Sequence, residues 1–359
     1  MTVTLGATNS GYTIEPAIRR TLRRAVLRPE WALIAAVTVV FVIDPELSVV
    51  LRYGPLAASV VVFGLPHGAV DHLAVPRVRD DRPTLRAFAG VGVLYLLLGG
   101  AYTVVWFLAP TAAFVFFILL TWFHWGQGDL YAVAALGDAD YLDTPATRWG
   151  TILVRGGLPM LVPLIGAPER YRAVAELLIA LFTPEGAAAL GWVFRPDVRL
   201  ALGIGFATLA VLSLGVGYYR GGGATPAWRL DVGETVLLAG YFLVVPPVLA
   251  IGLYFCFWHS LRHIARLVLL DDRAVSTLRD RQVLPAVGRF IKDAAPLTAV
   301  SIGLLVGLAL LVPNPRTDIQ GFVGIYLVLI AVLTLPHVVI VSLMDEEQGL
   351  AAWPPVLTG

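Results

Sequence analysis

Charge is what this chain has least of. Only 14% of its 359 residues are charged, against roughly 25% in soluble globular proteins. An ordinary soluble core is excluded by that gap. Net charge is +1, so there is no electrostatic basis for binding nucleic acid. Lysine is nearly absent, Lys292 being the sole one. The single cysteine, Cys256, excludes an internal disulfide. Short alternating segments, the mark of a membrane barrel, are missing too.

Apolar residues fill the space that charge leaves. They make up 58% of the chain, and several runs approach or exceed the roughly 18 residues of a transmembrane helix. The fold class is all-α, a polytopic transmembrane bundle of about eight to ten spans. Ten candidate spans stand at about 31–48, 54–74, 85–108, 111–127, 149–166, 198–217, 233–246, 247–269, 294–312 and 320–343. Pro246-Pro247 divides the seventh from the eighth. Joined, the two would rise about 55 Å, too long for a hydrocarbon core near 30 Å. Segment 168–190 is amphipathic and reads as surface-lying. The domain organisation is an N-terminal arm (1–30), a catalytic bundle (31–345) and a C-terminal tail (346–359).

Arg placement sets the orientation. The arm carries Arg19, Arg20, Arg23, Arg24 and Arg28, which puts it in the cytoplasm of a cell-membrane protein. The arm is polar and reads as neither leader nor span. The loops after spans two, six and eight are also Arg-rich and fall on the same side. On that topology all six histidines, His67, His72, His124, His259, His263 and His337, lie in the inner half of the bilayer.

Intramembrane ionisable groups are costly and face a bundle interior or cavity. For one such His the plain reading is a hydrogen bond between helices. Six at one depth, with His259 and His263 four apart on one helix face, favour a metal site. "GLPHGAVDHLA" (64–74) adds His67, between a Pro and a Gly that weaken the helix. "TWFHWGQGDL" (121–130) adds His124. Asp71, four after His67, is placed either as a carboxylate fixing a ligand's tautomer or as a charge paired with Arg.

An imidazole-only shell suits Fe(II) or Cu, and also a closed structural Zn²⁺. "WHSLRH" lacks the Glu of HExxH, so a zinc-protease reading has no general base. "HSLRH" matches the H-x-x-x-H box of membrane desaturases, which resemble one another in using about eight or more histidines for two irons. A bis-His haem would use only two of the six. Aromatics crowd the histidines, among them Trp125, Tyr254, Phe257 and Trp258. They are read either as packing and interface residues or as the wall of a tunnel for a long, flat, apolar molecule taken from the bilayer.

Four motifs then carry a resemblance: "GLPHGAVDH", "FHWGQGD", "YFCFWHSLRH" and "LTLPHVVIVSLMD". With their order and spacing, over roughly 55–345, the chain resembles the Brp/Blh family of membrane β-carotene cleavage enzymes. The resemblance implies an Fe(2+) dioxygenase that splits β-carotene at the central 15,15′ double bond with O2. Two retinals result, to serve a microbial rhodopsin, with an opsin as acceptor. It implies His67, His124, His259 and His263 as metal ligands and catalytic residues. Asp71 is placed behind them, and Trp125, Tyr254, Phe257, Trp258 and His337 are placed along the substrate. His72 has no fixed counterpart and is left out. Arg262 is expected to face away from the metal as interfacial charge. Two alternatives stay open: a diiron desaturase or hydroxylase, and a histidine-based transporter.

Overall fold

The computed structural model describes residues 14–43 and 45–354, and every regular element among them is a helix. They are α1 (16–41), α2 (Val49–Ala58), α3 (Gly64–Gly68), α4 (Asp71–Val78), α5 (Leu85–Leu108) and α6 (110–136). There follow α7 (Pro145–Gly166), α8 (Pro168–Ala180), α9 (Pro196–Arg220), α10 (Pro226–Val244) and α11 (Pro247–Val268). Last come α12 (Asp272–Arg279), α13 (Val283–Leu311) and α14 (Ile319–Glu347). Pro opens α6 to α11, at the position where its missing N–H is not needed. Side chains of Thr84, Thr144, Thr225 and Asp318 accept bonds from the first-turn N–H groups of α5, α7, α10 and α14.

Among the described residues, six helices are long and apolar enough to cross a membrane. They form two tiers. In α7, α11 and α14 the most apolar stretch is 72%, 78% and 67% buried; in α5, α9 and α13 it is 17%, 11% and 17% buried. The first three are therefore the inner wall, and the second three present apolar surface outward, as lipid-facing helices do. Helices α6 and α10 belong to the inner tier as well. They carry buried His124, Gln127, Asp129, Asp231 and Glu234, which lower their apolarity.

Small residues let the inner helices close up, as they do in membrane bundles. The Gly126 Cα lies against the Ile152 backbone, and Gly156 against the Trp122 carbonyl, so α6 and α7 touch backbone to backbone. Gly252 of α11 meets the backbone of Leu56 in α2 in the same way.

Three features differ from the expected spans. The first helix starts at residue 16 and stops at Phe41, short of residue 48. The second span is not one helix but α2, α3 and α4 with irregular joints. Segment 168–190 does not simply lie on the surface, because Ala175, Leu178 and Ile179 of α8 are buried in the main core. Helices α10 and α11 are separate, parted at Val245-Pro246, and of the two only α11 is among the six long, apolar helices.

Candidate metal centre

The joint between α2 and α3 places the first histidine. Helix α2 ends at Ser59, and Phe63 takes a left-handed conformation, φ 61°. That turn brings Gly64 so close to the Ser59 carbonyl that a Cβ would overlap it. Leu65 N–H then donates back to the same carbonyl at 3.2 Å, and Cys256 Sγ reaches the Val62 carbonyl at 3.4 Å. Irregular backbone at membrane depth is tolerated where it is buried in protein and lines a cavity. The product is a short helix, α3, carrying a buried His67 whose Nδ1 bonds the Gly64 carbonyl.

His259 and His263 lie on α11, which runs through a π-helical turn at Phe255–Ser260. Such turns occur often at functional sites. His124 comes from α6 and His337 from α14, directly after Pro336. All five rings are buried. His259 Nε2 and His124 Nε2 are 3.1 Å apart. Ring centroids are separated by 4.8 Å for His124–His259 and for His124–His337, 5.1 Å for His263–His337 and 5.2 Å for His67–His337. The separations from His67 to His259 and to His263 are 5.4 and 5.5 Å. Two imidazoles gripping one ion at about 2.1 Å from nitrogen hold their centroids roughly 5 Å apart.

Several nitrogens in the cluster bond to no protein atom: Nδ1 of His124, both ring nitrogens of His263, and Nε2 of His337. Unmet polar atoms in so buried a place are costly. A cation that suits imidazole would take up one nitrogen of each ring it binds, so the donor set fits a metal. Nitrogens of His67, His124 and His337 lie within 4.8 Å of one another. The same limit holds for ligand atoms of Asp71, His263 and His337. Thus the structure brings His67, His124, His259 and His263 together, adds His337 to them, and leaves His72 outside. His72 instead packs edge-on against Phe88, 5.1 Å between centroids.

A cavity of 560 Å³ adjoins the cluster, with His67, His124 and His337 in its wall. Asp71, His72 and Tyr95 line it too; the rest is mostly apolar and comes from α2, α3, α5, α6, α7, α8, α11, α13 and α14, with Phe114, Phe117, Met160, Val248 and Leu327 among the contributors. The size is in the usual range for small-molecule sites.

A family model described as beta-carotene 15,15′-dioxygenase matches residues 58–345. The chain belongs to that family. It is 49% identical over 342 residues to "Probable beta-carotene 15,15′-dioxygenase Blh" of Halobacterium salinarum, covering 92% of this chain and 95% of the relative. It is 32% identical over 315 residues to "Probable beta-carotene 15,15′-dioxygenase Brp" of the same organism, covering 84% and 85%. To "Beta-carotene 15,15′-dioxygenase" of Uncultured marine bacterium 66A03 it is 24% identical over 293 residues, covering 81% and 94%. No solved structure matches it.

In this member of the dioxygenase family the aromatics divide in a way their sequence positions did not reveal. Trp125 lines the cavity and lies 5.6 Å from His259 between ring centroids. Tyr254, Phe257 and Trp258 are not among the lining residues. Tyr254 is fully buried against Trp125, Phe242 and Trp258, and Phe257 packs edge-on to Phe63. Phe255, one residue after Tyr254, takes the cavity position, stacked 6.3 Å from His259.

Behind the histidines lies a buried ionic cluster. Arg262 does face away from the five rings, but it is not interfacial charge, being 2% exposed. It binds Glu30 Oε1 at 2.5 Å, Glu234 Oε1 at 2.7 Å and Asp129 Oδ1 at 3.3 Å, and its guanidinium lies 3.8 Å over the Trp258 ring. Arg155 binds Asp231 at 2.7 Å and Glu234 at 2.9 Å. Trp258 Nε1 donates to Asp129 at 3.0 Å. Farther along α11, Arg266 binds Asp345 at 2.7 Å, and Gln127 Nε2 donates to the other oxygen of that carboxylate at 2.7 Å. The Arg262 and Arg266 clamps therefore join α11 to its neighbours within four residues of a histidine, while Arg155 ties α7 to α10. The one visible signal in the sequence was charge inside apolar stretches: Arg155, Asp231, Glu234.

Proposed function

We propose that the protein is a membrane dioxygenase that cleaves β-carotene at its central 15,15′ double bond with O2, giving two retinals. The observation that carries this reading is the convergence of buried imidazoles from four separate helical segments beside one apolar cavity, with His67, His124 and His337 in its wall. The family's named reaction is an oxygenase reaction on a long polyene, and such a cavity suits that molecule. His67, His124, His259 and His263 would hold a ferrous ion, with neutral rings that add no charge of their own. When bound, the iron supplies the O2 chemistry.

The chain's own residues do the rest. Trp125 and Phe255 stand beside His259 and set where a flat polyene can lie against the cluster. Positioning of that kind supplies several kcal/mol of a barrier. Thr121, Thr334 and the histidines are among the few polar groups along the wall, so little water is retained. The Arg-rich N-terminal segment and loops support a cluster lying toward the cytoplasmic leaflet. The retinal formed there would supply a microbial rhodopsin.

Substrate enters sideways from the lipid. Helices α5 and α13 both line the cavity, yet make no extended contact with each other. Val300 and Leu304 of α13 border the cavity while remaining 55% and 50% exposed, and Gly92 of α5 is exposed as well. A Cβ at Gly92 would meet nothing within 4 Å, so Gly92→Phe adds a ring at this opening without crowding the fold. Retinal formation should fall several-fold with metal content unchanged. Val93→Phe, at the adjacent and exposed position, should keep the original rate. Equal rates in all three proteins would reject this entrance.

The reading as a whole is tested on purified protein. One iron per chain, and retinal from β-carotene with uptake of O2, is the expected result. Two irons with a need for a reductase would point to a desaturase instead, and transport without metal to a carrier.

A further inference from the structure

We infer that His337 is a fifth ligand of the metal centre, held in place by Asp71 and Tyr95. The inference rests on the metal reading above and enlarges its residue set.

Four observations converge on His337. Its ring is 4% exposed and neighbours three of the other histidines, with centroids 4.8 Å from His124, 5.1 Å from His263 and 5.2 Å from His67. One of its nitrogens lies within 4.8 Å of nitrogens on both His67 and His124. Its Nδ1 is 2.7 Å from Asp71 Oδ2. Its Nε2 is buried and has no hydrogen-bond partner in the protein.

The third observation fixes the meaning of the fourth. A carboxylate can only accept, so the Nδ1 proton points at Asp71 and the lone pair stays on Nε2. A buried acceptor with nothing to accept is costly. The same lone pair, on a ring packed among other imidazoles, is what a cation requires. Carboxylate–histidine–metal relays are built this way: the carboxylate fixes the tautomer and raises the basicity of the ligand.

Asp71 is fixed in turn. Its Oδ2 also accepts from Tyr95 Oη at 2.5 Å. Tyr95 lies on α5, Asp71 on α4 and His337 on α14, so three helices meet in one chain of bonds. Gly68 packs against the same ring: a Cβ there would stand 3.6 Å from His337 Nδ1, in ordinary contact. A histidine that only joined two helices would need no lone pair turned to the cluster. One that only lined the cavity would need no buried carboxylate behind it. His337 is thus the ligand, and Asp71 and Tyr95 are positioning residues that act through it.

Metal binding, not turnover, tests this. Metal-free protein is titrated with Co(II) and followed by its visible d–d absorption, which reports the number and kind of ligands. His337→Ala should bind about 10- to 100-fold more weakly, the scale seen when the support of a metal site is lost, with an altered spectrum. Asp71→Asn keeps the side chain's size and removes its charge; it should weaken binding about 10-fold. Tyr95→Phe should shift binding in the same direction by less, and Val93→Phe should match the unchanged protein. Co(II) affinity and spectrum unchanged in both His337→Ala and Asp71→Asn would overturn the inference while leaving the metal reading standing. Failure of the unsubstituted protein to take up Co(II) would overturn the metal reading, and the fifth ligand with it.

Discussion

Replacing His259 or His263 by Ala is expected to abolish both bound iron and retinal formation. Both rings leave one helix and reach one cluster. His259 Nε2 lies 3.1 Å from its counterpart on His124, and His263 has two buried nitrogens that nothing else in the protein satisfies. Alanine deletes a donor and opens a void that neighbouring apolar side chains cannot fill with nitrogen. With two of the four proposed ligands on one helix, either loss leaves an incomplete shell. The measurement is iron per chain on purified variants, together with retinal accumulation in a carotene-producing host. Near-normal retinal in either variant would reject the ligand assignment. Because both side chains are buried, thermal unfolding of the metal-free forms should be compared as well, so that loss of metal is not mistaken for loss of fold.

The second large effect is on stability. Arg262 is the shared partner of Glu30, Glu234 and Asp129, all buried. Four carboxylates, Glu30, Asp129, Asp231 and Glu234, surround two guanidiniums, Arg155 and Arg262. Removing one guanidinium strands charges that are already in excess. Breaking a buried ion pair from one side costs about 3–5 kcal/mol, and here one residue serves three partners. Arg262→Leu should therefore lower the unfolding temperature in detergent by many degrees and reduce the yield of folded protein. Arg262→Leu combined with Glu30→Gln should recover part of the loss, since one stranded charge is gone. An unfolding temperature equal to that of the unsubstituted protein would show that the cluster does not hold α1, α10 and α11 together.

Much of this was legible in the sequence because the bilayer enforces it. Low charge and long apolar runs dictated helices, and Pro246-Pro247 marked where α11 begins. His259 and His263 share a helix face by spacing alone. What spacing could not supply was the turn at Phe63, where a non-glycine residue takes a left-handed conformation to break the expected second span. Nor could it separate Tyr254 from Phe255. A π-helical turn begins at Phe255, and which neighbour meets the cavity depends on that local winding. Arg262 looked like a surface charge because its partners are distant in sequence: Glu30 is 232 residues away and Asp129 is 133. Nor could spacing show the bond between His337 Nδ1 and Asp71, which are 266 residues apart.

The apolar cavity wall has a consequence for how this enzyme chooses its molecule. A ligand taken from water gains free energy simply by leaving it. A carotenoid dissolved among acyl chains gains nothing of that kind, since lipid tails are as oily as the wall. Discrimination must therefore come from contour, from how well a stiff rod fills the hollow compared with the floppy tails it displaces. On the proposed function, the quantity that governs occupancy is the mole fraction of pigment in the lipid, so product formation should follow how much carotene the membrane holds.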